Sequence, residues 1–500
     1  MDRPGPESAP PQPLLSDRVL ISGVVTPVAL FSDGVLQWSE RSQRSLIVEK
    51  EVLGFAAEGP KIRIRAFVEG GAGICCGANR GAVARKDLVF EPLSEDSHRL
   101  WCQKLGDYID SLDYFEFPTA KEAVVFVNPF GGSKSASKIY VDHVKPLFED
   151  ADIQFTLQET QYQLHAKEVV KTLDLSKYDG IVCVSGDGIL VEVVNGLLER
   201  DDWDAAIKIP LGVVPAGTGN GMAKSLLDSV GEPCTPSNAV LAIIRGHKRS
   251  LDVATICQGK MKFFSVLMLA WGLVADVDIE SEKYRWMGSA RLDFYAVQRI
   301  VHLRQYNGSI SFVPAPGFET YGEPTSYSNA SEPTNQHNAG APNQEEPISI
   351  RQHGYPGPDI NLASMDWRTI SGPFVSIWLH NVPWGGEDTK AAPDAKFSDG
   401  YIDVIMMRVC PKLSLLSLMS GLSTGSHIKS PYVLYFKVKA FILQPGPLTE
   451  DPTKEGIIDS DGEVLARGKG AYKCDQKTLM VYDKLQVTVD QGLATLFSPV

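Results

Sequence analysis

The 500-residue chain is 43% hydrophobic and 22% charged. That is enough to bury a large core and, at about 100–200 residues per domain, to build roughly three domains. A net charge of −13 and a pI near 5.3 exclude broad nucleic-acid binding, which needs a basic footprint, and disfavour bulk adsorption to anionic membrane.

Residues 1–16 are proline-rich, lack the apolar stretch of a secretory signal and read as a disordered tail. Residues 17–114 follow as short strands: VLISGVV, VALFS, an Asp33-Gly34 turn, VLQW, SLIVE, KIRIRAFVE and DLVFE. A helix comes next, with Ser94 as N-cap, Glu95 and Asp96 in its first turn, and Trp101, Leu105, Tyr108 and Leu112 on one face. Antiparallel strands closed by one Trp-bearing helix resemble a pleckstrin-homology domain; a plain β accessory domain fits the same pattern.

Pro118 marks a boundary, after which residues 119–255 alternate strand and helix. Three apolar strands run into glycine-rich turns that open helices: FVNPFGGSKS, CVSGDGILVEVVNGL and VVPAGTGNGMAKSL. Consecutive βα units build a parallel sheet of Rossmann-like type, with loops collected at its carboxyl edge. One glycine turn is usually structural, but three at equivalent positions point to a phosphorylated ligand held by backbone N–H groups and helix N-termini. None is a standard fingerprint: Gly131-Gly132-Ser133-Lys134 lacks P-loop spacing, and no GxGxxG with a later acid follows the first strand.

Residues 256–500 change to antiparallel β patterns: KFFSVLMLAW, GSISFVP, FVSIWLHNV, YIDVIMM, YFKVKAFILQ, KTLMVYD and KLQVTV. Helices are expected near Arg285–Leu303 and Leu413–Leu422. The stretch 315–366 is dense in Pro, Gly, Asn, Ser and Glu and reads as a disordered insertion. Eight cysteines at 75, 76, 102, 183, 234, 257, 410 and 474 form no CxxC pair, so reduced thiols in a cytosolic protein are expected. The longest apolar run, Phe263–Ala275, is shorter than the ~20 residues that span a bilayer.

At SGDGILVEVVNGL and PAGTGN the sequence resembles the diacylglycerol kinase catalytic family, and more narrowly the sphingosine kinases, or long-chain base kinases. NPFGGSK, AWGLVADVDIESEKYRWMGSAR, APDAKFSDGYIDV and the Asp461-Gly462-Glu463 triplet extend the resemblance, in family order, from about Lys121 to the C-terminus. It implies a nucleotide domain followed by an antiparallel β-sandwich lipid domain. The implied reaction is ATP-dependent phosphorylation of the primary hydroxyl of a sphingoid base, with Mg²⁺ inferred from ATP chemistry and no protein ligand assigned to it.

The resemblance makes Asp187, between Gly186 and Gly188, the residue that orients the substrate hydroxyl and accepts its proton late. A free Asp, with a pKa near 3.9, is a poor base beforehand. Ser185 lines the same turn. Nucleotide contacts carry over to Asn128, Pro129, Phe130, Thr160, Glu192, Gly217, Thr218, Gly219, Arg285, Arg291, Asp461, Gly462 and Glu463. Phe130 departs from the family, where a cation is common. ADVDIESEK supplies Asp276, Asp278, Glu280 and Glu282; Asp278 is the family's amine-binding position.

A sphingoid tail of about 15 methylenes at ~0.8 kcal/mol each carries more than ~10 kcal/mol of transfer free energy, so the β domain must enclose it. The stretch Leu413–His427 suits a lid. Cytosol with reversible docking to a membrane surface is expected; the sequence leaves homodimer formation open. Ceramide kinase is the rival reading, encouraged by RWMGSARLDF and opposed by Ser185 and the Asp276/Asp278 acids. A non-catalytic lipid-binding scaffold is the alternative of another class, and a soluble nicotinamide-nucleotide or sugar kinase a weaker one.

Overall fold

The computed structural model describes residues 11–39, 42–69, 83–111, 122–132, 134–328, 354–473 and 477–500. These form two compact units: residues 1–122, 141–155 and 240–247 in one, and 123–140, 156–239 and 248–500 in the other.

In the first unit, hydrophobic alternation produces antiparallel strands with one buried face. Val24–Phe31 buries Thr26, Val28 and Leu30 and pairs with Pro13–Ile21 on one side and Val35–Ser39 on the other. The expected tail therefore ends earlier than residue 16, because Pro13–Ser16 already belong to a paired strand. Gly34, at φ +77°, makes the turn expected at Asp33-Gly34. Helix Glu95–Ser111 begins where Ser94 Oγ accepts the Ser97 N–H at 3.2 Å. Its Trp101 is fully buried, edge-on to Phe90 with ring centroids 5.2 Å apart. Leu112 lies outside the described residues. The segment 141–155 belongs to this unit, tied in by Arg85–Asp150 and Arg65–Asp152 ion pairs.

The second unit begins as a parallel sheet. Strand Gly180–Ser185 is buried at every residue, as apolar runs covered on both faces are. It pairs in parallel with Glu122–Val127 and with Leu211–Pro215, Cys183 standing between Phe126 and Val213. The Leu485–Phe497 strand then pairs parallel to Leu211–Pro215 at Leu496 and antiparallel to Lys248–Gln258. The α/β and antiparallel parts, expected as domains 119–255 and 256–500, are thus joined into one hydrogen-bonded system by the last strand of the chain.

The antiparallel part holds the expected strands. KFFSVLMLAW, however, divides at Val266-Leu267 into Met261–Ser265 and Met268–Gly272. Met268–Gly272 pairs with both Phe374–His380 and Ile457–Ser460. The expected helices occupy Ala290–Val301 and Lys412–Gly421, with a 3-10 segment over Ser281–Met287. The flanks of the expected disordered insertion at 315–366 are ordered: Glu323–Thr325 pairs with Trp367–Ser371, and Tyr355 packs on Trp203 at 4.6 Å and hydrogen-bonds Asp490. These aromatic anchors supply apolar burial that the polar composition hides; residues 329–353 lie outside the described residues. Five cysteines, 102, 183, 234, 257 and 410, are free thiols, and the other three lie outside the described residues. No helix of the described residues is long and apolar enough to cross a membrane.

Candidate active site

The three glycine loops meet because glycines replace side chains where backbones touch. A Cβ on Gly217 would stand 2.3 Å from Gly186 Cα, and one on Gly132 would stand 2.9 Å from Gly217 Cα. The loops are locked by side chains from within. Asn128 Oδ1 accepts the Phe130 and Gly131 N–H groups at 3.0 and 3.1 Å, turning the chain at Pro129 and leaving Phe130 exposed. Asn220, held at φ +56°, accepts the Gly217 N–H at 2.9 Å and donates to Gly217 O and to Glu387. Thr160 is buried with its N–H on Val127 O at 2.9 Å, and the buried Ser185 ends its strand with its carbonyl accepting the Ala216 N–H.

Asp187 is 8% exposed at the start of helix Asp187–Leu198. Its Oδ2 accepts the Gly221 N–H at 2.8 Å and its Oδ1 the Met222 N–H at 2.9 Å. It therefore caps the helix Gly221–Asp228, whose N-terminus was expected to be free for phosphate. Burial pushes its carboxyl above the ordinary value, outweighing the two N–H bonds that pull it down. That makes Asp187 a stronger base than a free aspartate. A carboxylate with two donors still has unused lone pairs. Gly219 leaves one side of it uncovered: a Cβ there would lie 3.3 Å from Oδ2.

Other expected contacts separate into those near the loops and those with structural tasks. Glu192 is a correction: its oxygens accept the Leu164 and Ala166 N–H groups at 2.9 and 3.1 Å, holding the entry of helix His165–Thr172. Asp461 and Gly462, at φ +55° and +82°, form a two-residue hairpin turn between Ile457–Ser460 and Glu463–Arg467. Asp461 Oδ1 accepts the Leu267 and Met268 N–H groups at 2.6 and 3.0 Å, healing the break between the two strands there. Of the triplet, only Glu463 reaches toward the loops. Its Oε1 is 4.0 Å from the Cβ position of Gly188 and its Oε2 accepts from Gln163. Burial, then the charges of Glu192, Asp461 and Asp278, raise its carboxyl to about 7 against the Gln163 bond.

The acids of ADVDIESEK also part company. Asp276 is paired with Arg304 and Arg299 and bonded by Tyr306, while Glu280 takes Arg304 and Tyr295. Glu282 takes Arg285 at 3.5 Å and Arg291 at 2.5 Å. Arg291 is buried and also donates to Ser281, whereas the Arg285 side chain is 58% exposed. Asp278 alone of the four has no ion-pair partner among the described residues.

Sequence reasoning passed over Asn220, Gln163, Glu387 and Asp459. Asn220 ends the quoted PAGTGN motif; the others carry no spacing signal, because their partners come from distant segments. Among the described residues no group of three or more His, Cys, Asp or Glu is arranged to hold a metal ion.

Residues 122–256 match the diacylglycerol kinase catalytic domain, and residues 363–482 match the YegS C-terminal NAD kinase beta sandwich-like domain. The loops and fold thus belong to a kinase catalytic domain followed by a β-sandwich domain. The chain is 61% identical over 493 residues to sphingosine kinase 1 of Arabidopsis thaliana, covering 99% of this chain and 98% of that protein. It is 33% identical over 357 residues to sphingosine kinase 1 of Homo sapiens, covering 70% and 87%, and 29% identical over 402 residues to human ceramide kinase, covering 77% and 71%. The chain belongs to the sphingosine kinase family and is a lipid kinase.

Proposed function

We propose that the protein transfers the γ-phosphoryl group of ATP to the primary hydroxyl of sphingoid long-chain bases. The observation that carries this is the buried, basic-shifted Asp187 at the meeting point of three glycine loops, with Gly219 leaving its oxygen approachable. The catalytic part is read as Rossmann-like and the N-terminal β-rich part as pleckstrin-homology-like.

In this reading the substrate hydroxyl donates to Asp187, which fixes the attacking oxygen in line and takes its proton as the O–P bond forms. The loops at Asn128–Phe130 and Gly217–Gly219 cradle phosphates with backbone N–H groups, while Glu463 and Arg285 stand at the nucleotide's edge. Asp187, Glu192 and Asp461 are already engaged by backbone N–H groups, so the chain offers magnesium no dedicated cage. Asp278, free of protein cations, receives the ammonium group, and the apolar strands of the β part enclose the tail. The weaker identity to ceramide kinase favours a free base over an N-acylated one.

Peripheral membrane docking is supported by exposed apolar residues on two helices. Phe294, Val297 and Val301 recur on Ala290–Val301, and Leu413 and Leu416 lie on Lys412–Gly421, which is tied to Val301 O by Lys412. Flotation with liposomes tests this, and failure to float removes it.

The main test is incubation with Mg²⁺ and labelled ATP against sphinganine, ceramide and diacylglycerol, with Asp187→Asn in parallel. Label on sphinganine, lost in the variant, is expected. Label on ceramide or diacylglycerol instead overturns the substrate, and no label on any lipid returns the scaffold reading.

A further inference from the structure

Strand Ile457–Ser460 carries one residue that none of the contacts above accounts for. Asp459 is completely buried, opposite Ala270, and neither of its carboxylate oxygens has a hydrogen-bond partner. Buried carboxylates are normally paired or hydrogen-bonded, because ionisation away from water is unfavourable. The ionisable groups facing Asp459 are themselves acids: Asp278 beside it, then Asp461 and Glu463. The nearby arginines do not relieve it, since Arg304 and Arg299 serve Asp276 and Glu280 on the other side of helix Leu273–Glu280. Burial above all, and then the Asp278 charge, hold the Asp459 carboxyl well above the usual carboxylate range. Two carboxyl groups in this relation share one proton and carry one negative charge between them.

An acidic pair with an unpartnered member lacks a cation, and its exposed member is Asp278. We propose that Asp459 is a positioning residue for the lipid headgroup: it stands behind Asp278 and forms with it a paired-carboxyl seat that selects a cationic over a neutral headgroup. This rests on the sphingoid-base reading above. A divalent ion is the competing occupant, but the described acids include no group arranged to hold one, and Asp461 is committed to Leu267 and Met268. When the ammonium group docks on Asp278, the second carboxyl can ionise and its proton leaves to solvent. A neutral amide headgroup brings no such compensation.

The test compares the full chain with its Asp459→Asn variant, measuring kcat and KM for sphinganine, N-acetylsphinganine and ATP between about pH 6 and about pH 8.5. The asparagine keeps the shape but cannot ionise. The expected result is a KM for sphinganine raised roughly tenfold at neutral pH, with its pH dependence flattened, and kcat and the KM for ATP within about twofold. An unchanged sphinganine KM and pH profile overturns the proposal, as does a rise confined to the KM for ATP. A wild-type chain that turns over no sphinganine strikes the proposed function itself.

Should the variant not fold, calorimetry on the wild type decides. Near pH 6.5 the free base is already protonated, so its binding in two buffers of different ionisation heat reports protons released by the protein. Release of about one proton per base bound supports the pair, and no release overturns it.

Discussion

Two regions of the second unit solve the same local problem with an aspartate and end with different tasks. At the glycine loops Asp187 accepts the Gly221 and Met222 N–H groups; at the hairpin turn Asp461 accepts those of Leu267 and Met268. Both are buried and both have carboxyls raised by desolvation. What differs is access. Gly219 leaves one side of Asp187 without a side chain, whereas Ser460 donates to the remaining oxygen of Asp461. The same capping chemistry is therefore open to a substrate in one place and sealed in the other.

The largest effect expected is on Asp187→Asn, which keeps one acceptor for the helix cap but loses the base. Turnover should fall by about 10²–10⁴-fold with an unfolding midpoint close to wild type. Asp461→Ala should do the reverse. Leaving two buried N–H groups without acceptors costs about 1–3 kcal/mol each, so denaturant unfolding shifts strongly while turnover per folded molecule changes little. If Asp461→Ala matches Asp187→Asn in turnover while fully folded, access is not what separates the two regions.

Gly217→Ala sharpens the loop side. Its new Cβ would meet Gly186 backbone at 2.3 Å, with no flexible side chain to give way. Forcing the loops apart should cost about 1–3 kcal/mol in stability and raise the KM for ATP; an unchanged KM for ATP would mean that the close approach of the loops does not shape the phosphate cradle.

The loops were legible because their signals are local: apolar run, glycine turn and helix start all lie within about a dozen residues, and βα succession fixes where they meet. Glu192 was misassigned because the N–H groups it caps belong to Leu164 and Ala166, which no helical spacing connects to it. The four acids of ADVDIESEK look alike in sequence, yet three are neutralised by arginines that the fold delivers from Arg285 to Arg304. Asp459 was missed since IIDS reads as the end of a strand before an Asp-Gly turn. A charged residue inside an otherwise apolar strand was the available signal. The order in residues 354–366 depends on contacts such as Tyr355 with Trp203 and Asp490, which composition does not encode.

The acids at the hairpin also give the fold a pH dependence opposite in sign to that of salt-bridged carboxylates. Burial raises Asp461 to about 6 and Glu463 to about 7, against unfolded values near 3.9 and 4.3. Between about pH 4 and about pH 7 the folded chain then binds more protons at these sites than the unfolded chain, so their contribution falls as pH rises through that window. The urea midpoint of the ligand-free protein should be higher near pH 5.5 than near pH 7.5, and Glu463→Gln should flatten the upper part of the slope. A midpoint that rises across the window in the wild type would show that these acids are not held out of water.

The smallest effect separates two arginines that share Glu282. Arg291 is 6% exposed and donates to Ser281 as well, so its removal strands a buried acid and should cost about 1–3 kcal/mol. Arg285 has a side chain 58% exposed and makes a single pair at 3.5 Å; exposed pairs contribute about 0–1 kcal/mol. Arg285→Ala should leave the unfolding midpoint within experimental scatter. If the side chain meets a nucleotide phosphate, the KM for ATP should still rise roughly fivefold, the size of one partly solvated charged hydrogen bond. Equal values for wild type and variant would assign Arg285 to the surface and leave the cradle to backbone N–H groups and Glu463.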